Sequence, residues 1–187
     1  MVPPEFTDER SSPLALPQPI ELRDVAELAE AADRVVERFV RVYSGLLPGV
    51  EVHHIGATAM PFGHTKGDVD LNLRVCASDF TNVADVLRRT CRVAQPENWT
   101  DTFASFACDG YELPLGVQLT QAGSESDFLL ELRDRLRSDR ALLRRYDDCK
   151  LTAAPRGAEE YWRAKDAFLS NVLRRSREQS SDRPQNH

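Results

Sequence analysis

The sequence predicts an α+β domain: a small mixed β-sheet flanked by helices, with a C-terminal helical segment. Three observations carry this. Residues 21–47 place apolar side chains at alternating steps of three and four, two later stretches alternate strictly between apolar and polar residues, and the chain beyond Gly123 reads as helix throughout. At 187 residues the chain suits one domain with a core large enough to fold without disulfides or a structural metal.

The elements follow in order. Residues 1–19, with five prolines from Pro3 to Pro19, read as an extended arm, residues 20–175 as a single domain, and residues 176–187 as a flexible tail. In the first helix Val25, Leu28, Ala32, Val35, Phe39, Val42 and Leu46 form one apolar stripe. Glu21 and Asp24 suit its positive N-terminal end, and Pro48-Gly49 stops it. Val50 to Ile55 is β-branched and short, a strand; Gly56 to Lys66 is a loop. From Asp68 to Val75 the residues Val69, Leu71, Leu73 and Val75 face a core, while Asp68, Asp70, Asn72 and Arg74 face water. Ser78 opens a helix that runs to Cys91. Two strands then meet at Asp109-Gly110, and Pro114 marks the second as an edge or a bulge. Ser124 with Asp127 resembles a helix cap, Ser138 restarts a helix through Tyr146, and a last helix uses Tyr161, Lys165, Phe168, Leu169 and Val172.

Charge narrows the partners. The net charge is −6, and the acids concentrate in the first 120 residues. Beyond residue 120 there are 14 Lys and Arg against 12 Asp and Glu. So slight a basic excess makes nucleic acid an unlikely partner, since counterion release needs a broad basic face. No apolar run is long enough to span a bilayer and the N-terminus lacks a secretory pattern, so the expected location is the cytoplasm. Cys76, Cys91, Cys108 and Cys149 fit no metal-binding spacing and are expected as free, buried thiols.

The segment with chemical content is H-I-G-A-T-A-M-P-F-G-H-T-K-G-D-V-D-L, residues 54–71. Positions i and i+2 of a strand lie about 7 Å apart, so Asp68 and Asp70 can converge on one site. Two carboxylates with water and a substrate phosphate make a Mg²⁺ site. Gly56 lets backbone amides approach a phosphate, and Lys66 can hold that phosphate or neutralise the acids.

This segment resembles the nucleotidyltransferase superfamily, in which a small-residue pair opens a short turn and a D-x-D follows on the next strand. Here Gly56-Ala57 precedes Asp68 by twelve residues and Asp70 by fourteen. More narrowly, the chain is similar to the GrpB-like family. L-R-D-R-L-R at 132–137, Tyr146 with Lys150, and Tyr161 with Lys165 match that family's later motifs. The resemblance implies a nucleotidyltransferase-like mixed sheet, and a ligand that is a nucleotide or another phosphorylated small molecule. It implies Mg²⁺ on Asp68 and Asp70 as metal ligands and catalytic residues, and an NTP such as ATP as substrate. Gly56, Ala57, Thr58, Lys66 and His54 are the implied ligand contacts, and the implied reaction is nucleotidyl transfer to a hydroxyl. Three departures bear on that reaction. Ala57 stands where a serine is usual, and Asn72 adds no acid to the strand. For a third carboxylate the outward positions of the later strand offer only Gln118, which cannot act as a base, Gly116, and Glu112 near the hairpin turn. Ala57 and Gln118 favour the alternative, a catalytically inactive binding or scaffold protein.

The remaining candidates stay open between two readings. His53 and His54 alternate across one strand, and His54, which matches the motif, is taken to face the site. His64 reads as a solvated loop residue. Arg133 with Asp134 is an internal ion pair or a phosphate contact. Lys150 and Lys165 line the cleft or rest their stems on a helix with their heads in water. Trp99 and Trp162 read as core or interface residues.

Overall fold

The computed structural model describes residues 18–181. All but the last two residues of the expected arm, and residues 182–187 of the expected tail, lie outside it. A two-residue strand β1 (Arg23–Asp24) leads into α1 (Val25–Tyr43), followed by β2 (Glu51–Ile55), a 3₁₀ turn (Ala57–Ala59), β3 (His64–Thr65), β4 (Val69–Val75) and α2 (Phe80–Thr90). Then come β5 (Arg92–Ala94), β6 (Phe103–Cys108) and β7 (Leu115–Gln121), and the helices α3 (Leu129–Ser138), α4 (Arg140–Ala153) and α5 (Ala158–Ser181). The main sheet has the order β2-β4-β7-β6-β5, with only β4 and β7 parallel. The predicted α+β architecture with its C-terminal helical segment is present.

One sheet face carries the core. Val69, Leu71 and Leu73 of β4 and Val117 and Leu119 of β7 are fully buried with Val35 and Phe39 of α1 and Leu87 of α2. The other face is bordered by α3–α5, whose own cluster includes Met60, Leu132, Leu136, Leu143, Tyr146 and Val172. The apolar β-alternation thus became a two-layer core, and the C-terminal helices added a third layer over part of the polar face.

Several expectations are corrected. Helix α1 starts after Asp24, which caps it by accepting from the Ala26 amide at 2.8 Å. Its stripe ends on Tyr43 and Leu47; Val42 and Leu46 are about half exposed, at 50% and 51%. A true helical period of 3.6 drifts away from a strict 3-4-3-4 pattern over this length. Asp139, not Ser138, caps α4, accepting from the Leu142 amide at 2.9 Å. Ser124 and Asp127 lie before α3 without capping it, because Asp127 is claimed by Arg74 through two 2.7 Å hydrogen bonds. Pro114 marks no edge: β7 is central, and the Pro114 carbonyl accepts from Val69 N–H at 2.8 Å just before the strand begins. Helix α5 continues through residues 176–181, which the sequence assigned to the tail.

Cys91 and Cys108 are not free. They form a disulfide with Cα atoms 4.5 Å apart. The antiparallel pairing of Arg92 with Ala107 sets the preceding and following residues opposite each other, at the short separation of a non-hydrogen-bonded pair. Cys76 is a free, exposed thiol and Cys149 a free, partly buried one. Among the described residues no helix is long and apolar enough to cross a membrane.

Candidate ligand-binding site

The β4–β7 register builds the polar face. Asp70, Asn72 and Arg74 pair with Gly116, Gln118 and Thr120 on the parallel neighbour, and Gln118 in turn pairs with Ser105 on β6. The expected row of solvated side chains is not what forms. Asn72 is completely buried, its Nδ2 donating to the Gln118 carbonyl and to Thr120 Oγ1, both at 3.0 Å, while its Oδ1 has no protein partner. Arg74 is held by Asp127 and, at 3.0 Å, by Glu51. Asp68 and Asp70 alone remain at the open end, both partly accessible.

Asp70 sits where two backbones come close. A Cβ on Gly56 would collide with its carboxylate and stand 3.0 Å from its Cβ; a Cβ on Gly116 would stand 2.9 Å from its Oδ1. Gly56 also has φ +75° and ψ −166°, a conformation that side chains strongly resist. Glycine is therefore required at 56 on two counts. The substitution Gly56→Ala is expected to cost about 2 kcal/mol through backbone strain, with thermal melting as the check. An unchanged Tm would show that the turn relaxes freely.

Burial first, and then the nearby charge of Asp68, push the Asp70 carboxyl up to about 6. Lys165, Lys66 and a hydrogen bond from the Gln118 side chain act in the opposite direction. Lys66 Nζ lies 3.4 Å from Asp68 Oδ2. The same ammonium lies 4.4 Å from the centre of the Trp162 ring, and Lys165 Nζ lies 4.8 Å from it. Trp162 is thus neither core nor hidden. It is 40% exposed and gathers two ammonium groups beside the acids.

His54 and Thr58 do other work than expected. Across β2 and β4, Ile55 pairs with Asp70 and His53 with Asn72, so His54 pairs with Leu71 and lies on the core side of the sheet. Its Nε2 lies 3.0 Å from Thr58 Oγ1, and that hydroxyl donates to the Asp68 carbonyl at 3.1 Å. With its proton committed there, Thr58 accepts from His54 Nε2–H, which selects that tautomer. Burial holds the imidazole below its usual pKa. Both residues fasten the glycine turn to the D-x-D strand. Ala57 borders the turn, partly accessible, and has no side-chain polar group to offer.

A second cluster sets the approach to Lys66. Asp147 on α4 accepts from the His64 amide at 2.7 Å and lies 2.9 Å from His64 Nδ1. Lys150, only 3% exposed, donates to the His64 carbonyl and stands 3.2 Å from Asp147. Burial works upward on the Asp147 carboxyl, but the bonds from His64 and Lys150 outweigh it and hold the pKa low. His64 is therefore no solvated loop residue, and Lys150 neither lines the cleft nor reaches water. Arg133 joins Asp134 at 2.7 Å and also donates to the His54 carbonyl at 3.2 Å, so it ties α3 to β2 while lining the cleft. Trp99 packs on Phe106, as its core reading anticipated.

Two clefts share Asp70 and Gln118. The smaller, about 350 Å³, also reaches Asp68 and runs over Ser105 toward Arg92 and Asp109; the larger, about 520 Å³, opens between the sheet and α3–α5. Among the described residues no group of three or more His, Cys, Asp or Glu side chains is arranged to hold a metal ion. The acid pair has Gln118 beside it, its side chain hydrogen-bonded to the Asp70 carboxyl.

The family model described as GrpB protein matches residues 23–175. The chain belongs to the GrpB family. It is 27% identical over 158 residues to a UPF0157 protein of Vibrio cholerae serotype O1, covering 79% of this chain and 78% of that one. Its fold matches the crystal structure of conserved protein GrpB from Enterococcus faecalis with a TM-score of 0.66 at 17% identity, over 87% of this chain and all of that one (100%). A looser likeness, TM-score 0.43 at 10% identity, extends to the Cid1 poly(U) polymerase solved with Mg and 3′-dATP, over 74% of this chain and 48% of that one. Within this GrpB-family chain, the matched region holds the glycine turn, the D-x-D strand and both motif lysines. Lys150 braces the fold and Lys165 faces the cleft. Nothing in either motif separates these roles; burial does. Gly116 and Trp162 are given no part in the site by the sequence alone, although a lone glycine between Leu115 and Val117 is the usual sign of a close backbone approach.

Proposed function

We propose that this GrpB-family protein binds a nucleotide or another phosphorylated small molecule, with Asp68 and Asp70 sharing one Mg²⁺ and Lys66 and Lys165 contacting phosphate. One observation carries the proposal: a raised, partly accessible Asp70 carboxyl, wedged between two glycines, with a second acid and two ammonium groups around it. Proteins seldom keep such an arrangement for stability, because crowding like charges in a partly dry site is unfavourable. Two hard carboxylates, completed by water and phosphate oxygens, suit a single Mg²⁺, which when bound would offset the charge of the acids and draw phosphate to them. The chain's own contribution is to hold Asp70 through Gly56 and Gly116, to fix the turn through His54 and Thr58, and to aim Lys66.

Gln118 favours binding over nucleotidyl transfer. An amide accepts no proton at neutral pH, so it cannot deprotonate an acceptor hydroxyl, and it supplies no negative charge for a second ion. Isothermal titration of ATP with Mg²⁺ into the wild type and Asp70→Asn tests the reading; heat in the wild type and none in the variant is expected, and equal heats would sink it. The change Gln118→Glu is expected to tighten Mg²⁺ about tenfold, since it adds a third charge to the acid pair. An unchanged Mg²⁺ titration would show that Gln118 lies outside the metal's reach.

A further inference from the structure

The two clefts that meet at Asp70 differ in chemistry. The smaller carries Arg92, Gln95, Ser105 and Asp109 in its walls. The larger is walled by Met60, Phe128, Leu132, Leu136, Tyr146 and Leu169, and its volume of about 520 Å³ is that of a small-molecule site. Its cationic lining is spare: Arg133 is committed to Asp134 and to the His54 carbonyl, whereas Lys165 makes no salt bridge among the described residues. Asp70 and Gln118 on the sheet side, with Asp166 and Ser170 on α5, add its other polar groups.

We infer that this larger cleft holds the apolar body of an amphipathic phosphate monoester, whose phosphate lies against Lys165 and the Asp68–Asp70 pair. This rests on the phosphate-binding reading above and adds the class of the ligand. A purely polar ligand would leave the leucine-rich wall facing water with nothing gained, and a purely apolar one would strand the Asp70 carboxylate and the Lys165 ammonium against hydrocarbon. A ligand carrying both characters satisfies both walls. Lys165, stacked over Trp162 but in no salt bridge among the described residues, offers it a positive charge, and the glycines at 56 and 116 keep the passage to Asp70 free of side chains.

Titration calorimetry in Mg²⁺ with inorganic phosphate and with ethyl, butyl, hexyl and octyl phosphate tests this, with phenyl phosphate as the aromatic arm. Each added methylene is expected to tighten binding about threefold up to hexyl. The gain is expected to vanish in Ser170→Trp, which places a ring at the exposed rim of the cleft, and in Leu169→Asn, which makes the wall polar. Inorganic phosphate should bind these variants as it binds the wild type. Phenyl phosphate binding more tightly than hexyl phosphate would mark the body as aromatic, and the reverse as aliphatic; either supports the inference. Phosphate binding that is lost in Asp70→Asn yet independent of chain length would overturn the inference and leave the phosphate site standing. A chain-length gain that persists unchanged in both cleft variants would place the apolar body elsewhere and overturn it too. Failure of every phosphate to bind would remove both readings together.

Discussion

Replacing Lys150 with alanine is expected to lower the melting temperature by about 10 °C, a loss of about 3 kcal/mol. The lysine is 3% exposed, and its ammonium serves the His64 carbonyl and Asp147 at once. Burial pulls its pKa down, and the charge and hydrogen bond of Asp147 work against that pull. Alanine would leave Asp147 with its His64 contacts but without its cation, in a site where an uncompensated charge is costly. It would also orphan a carbonyl and remove an ammonium that lies 4.8 Å from the centre of the Tyr146 ring. Because His64 and Thr65 lead directly to Lys66, the same substitution is expected to weaken any ligand contact made by Lys66. Thermal unfolding measures the first effect. A Tm within 2 °C of the wild type would mean that the buried cation contributes nothing net.

The change Asp70→Asn is expected to act in the opposite direction, raising Tm by about 5 °C at pH 7.5 while abolishing Mg²⁺-dependent binding of ATP. The folded Asp70 carboxyl, at about 6, lies above its ordinary value near 4 in the unfolded chain. Between those values the folded state holds a proton that the unfolded state has lost. Stability from this group is therefore present at low pH and lost as pH rises through 6, where the native site must carry the second negative charge. Asparagine keeps the shape without the charge. Its advantage is about 2 kcal/mol above pH 7, about half that near pH 5, and nothing near pH 4. Melting curves of both proteins across pH 4 to 8 check the sign. A Tm difference that grew toward acid pH would contradict the assigned environment of Asp70.

The two effects show how differently the site and its support were legible. The D-x-D strand, the glycine turn and Lys66 are local in sequence, so their spacing was enough to bring them together, and the structure keeps Asp68, Asp70, Gly56 and Lys66 in one place. His54 and Thr58 are just as local, yet their side chains bond to each other and to the strand backbone. Which face a strand residue takes depends on the register with its neighbour, and Ile55, not His54, lies across from Asp70. Gln118 was placed near the acids only through the family resemblance. Trp162 meets them only across a long stretch of chain, from α5, and no local pattern reports such a meeting. The Cys91–Cys108 bond was hidden in the same way, since it follows from the pairing of β5 with β6.

By itself the sequence determined the periodic core, the order of the main elements and the acidic pair beside a glycine turn, because each depends on neighbours within a few residues. Only the tertiary structure decided which of two motif lysines is buried, why Asn72 and Arg74 are withdrawn from the polar face, and that two clefts of different character meet at Asp70. The physical reason is that burial and cross-strand register are properties of the assembled layers. A side chain's charge is written in its residue type, but the cost of holding that charge is set by what the rest of the chain packs around it.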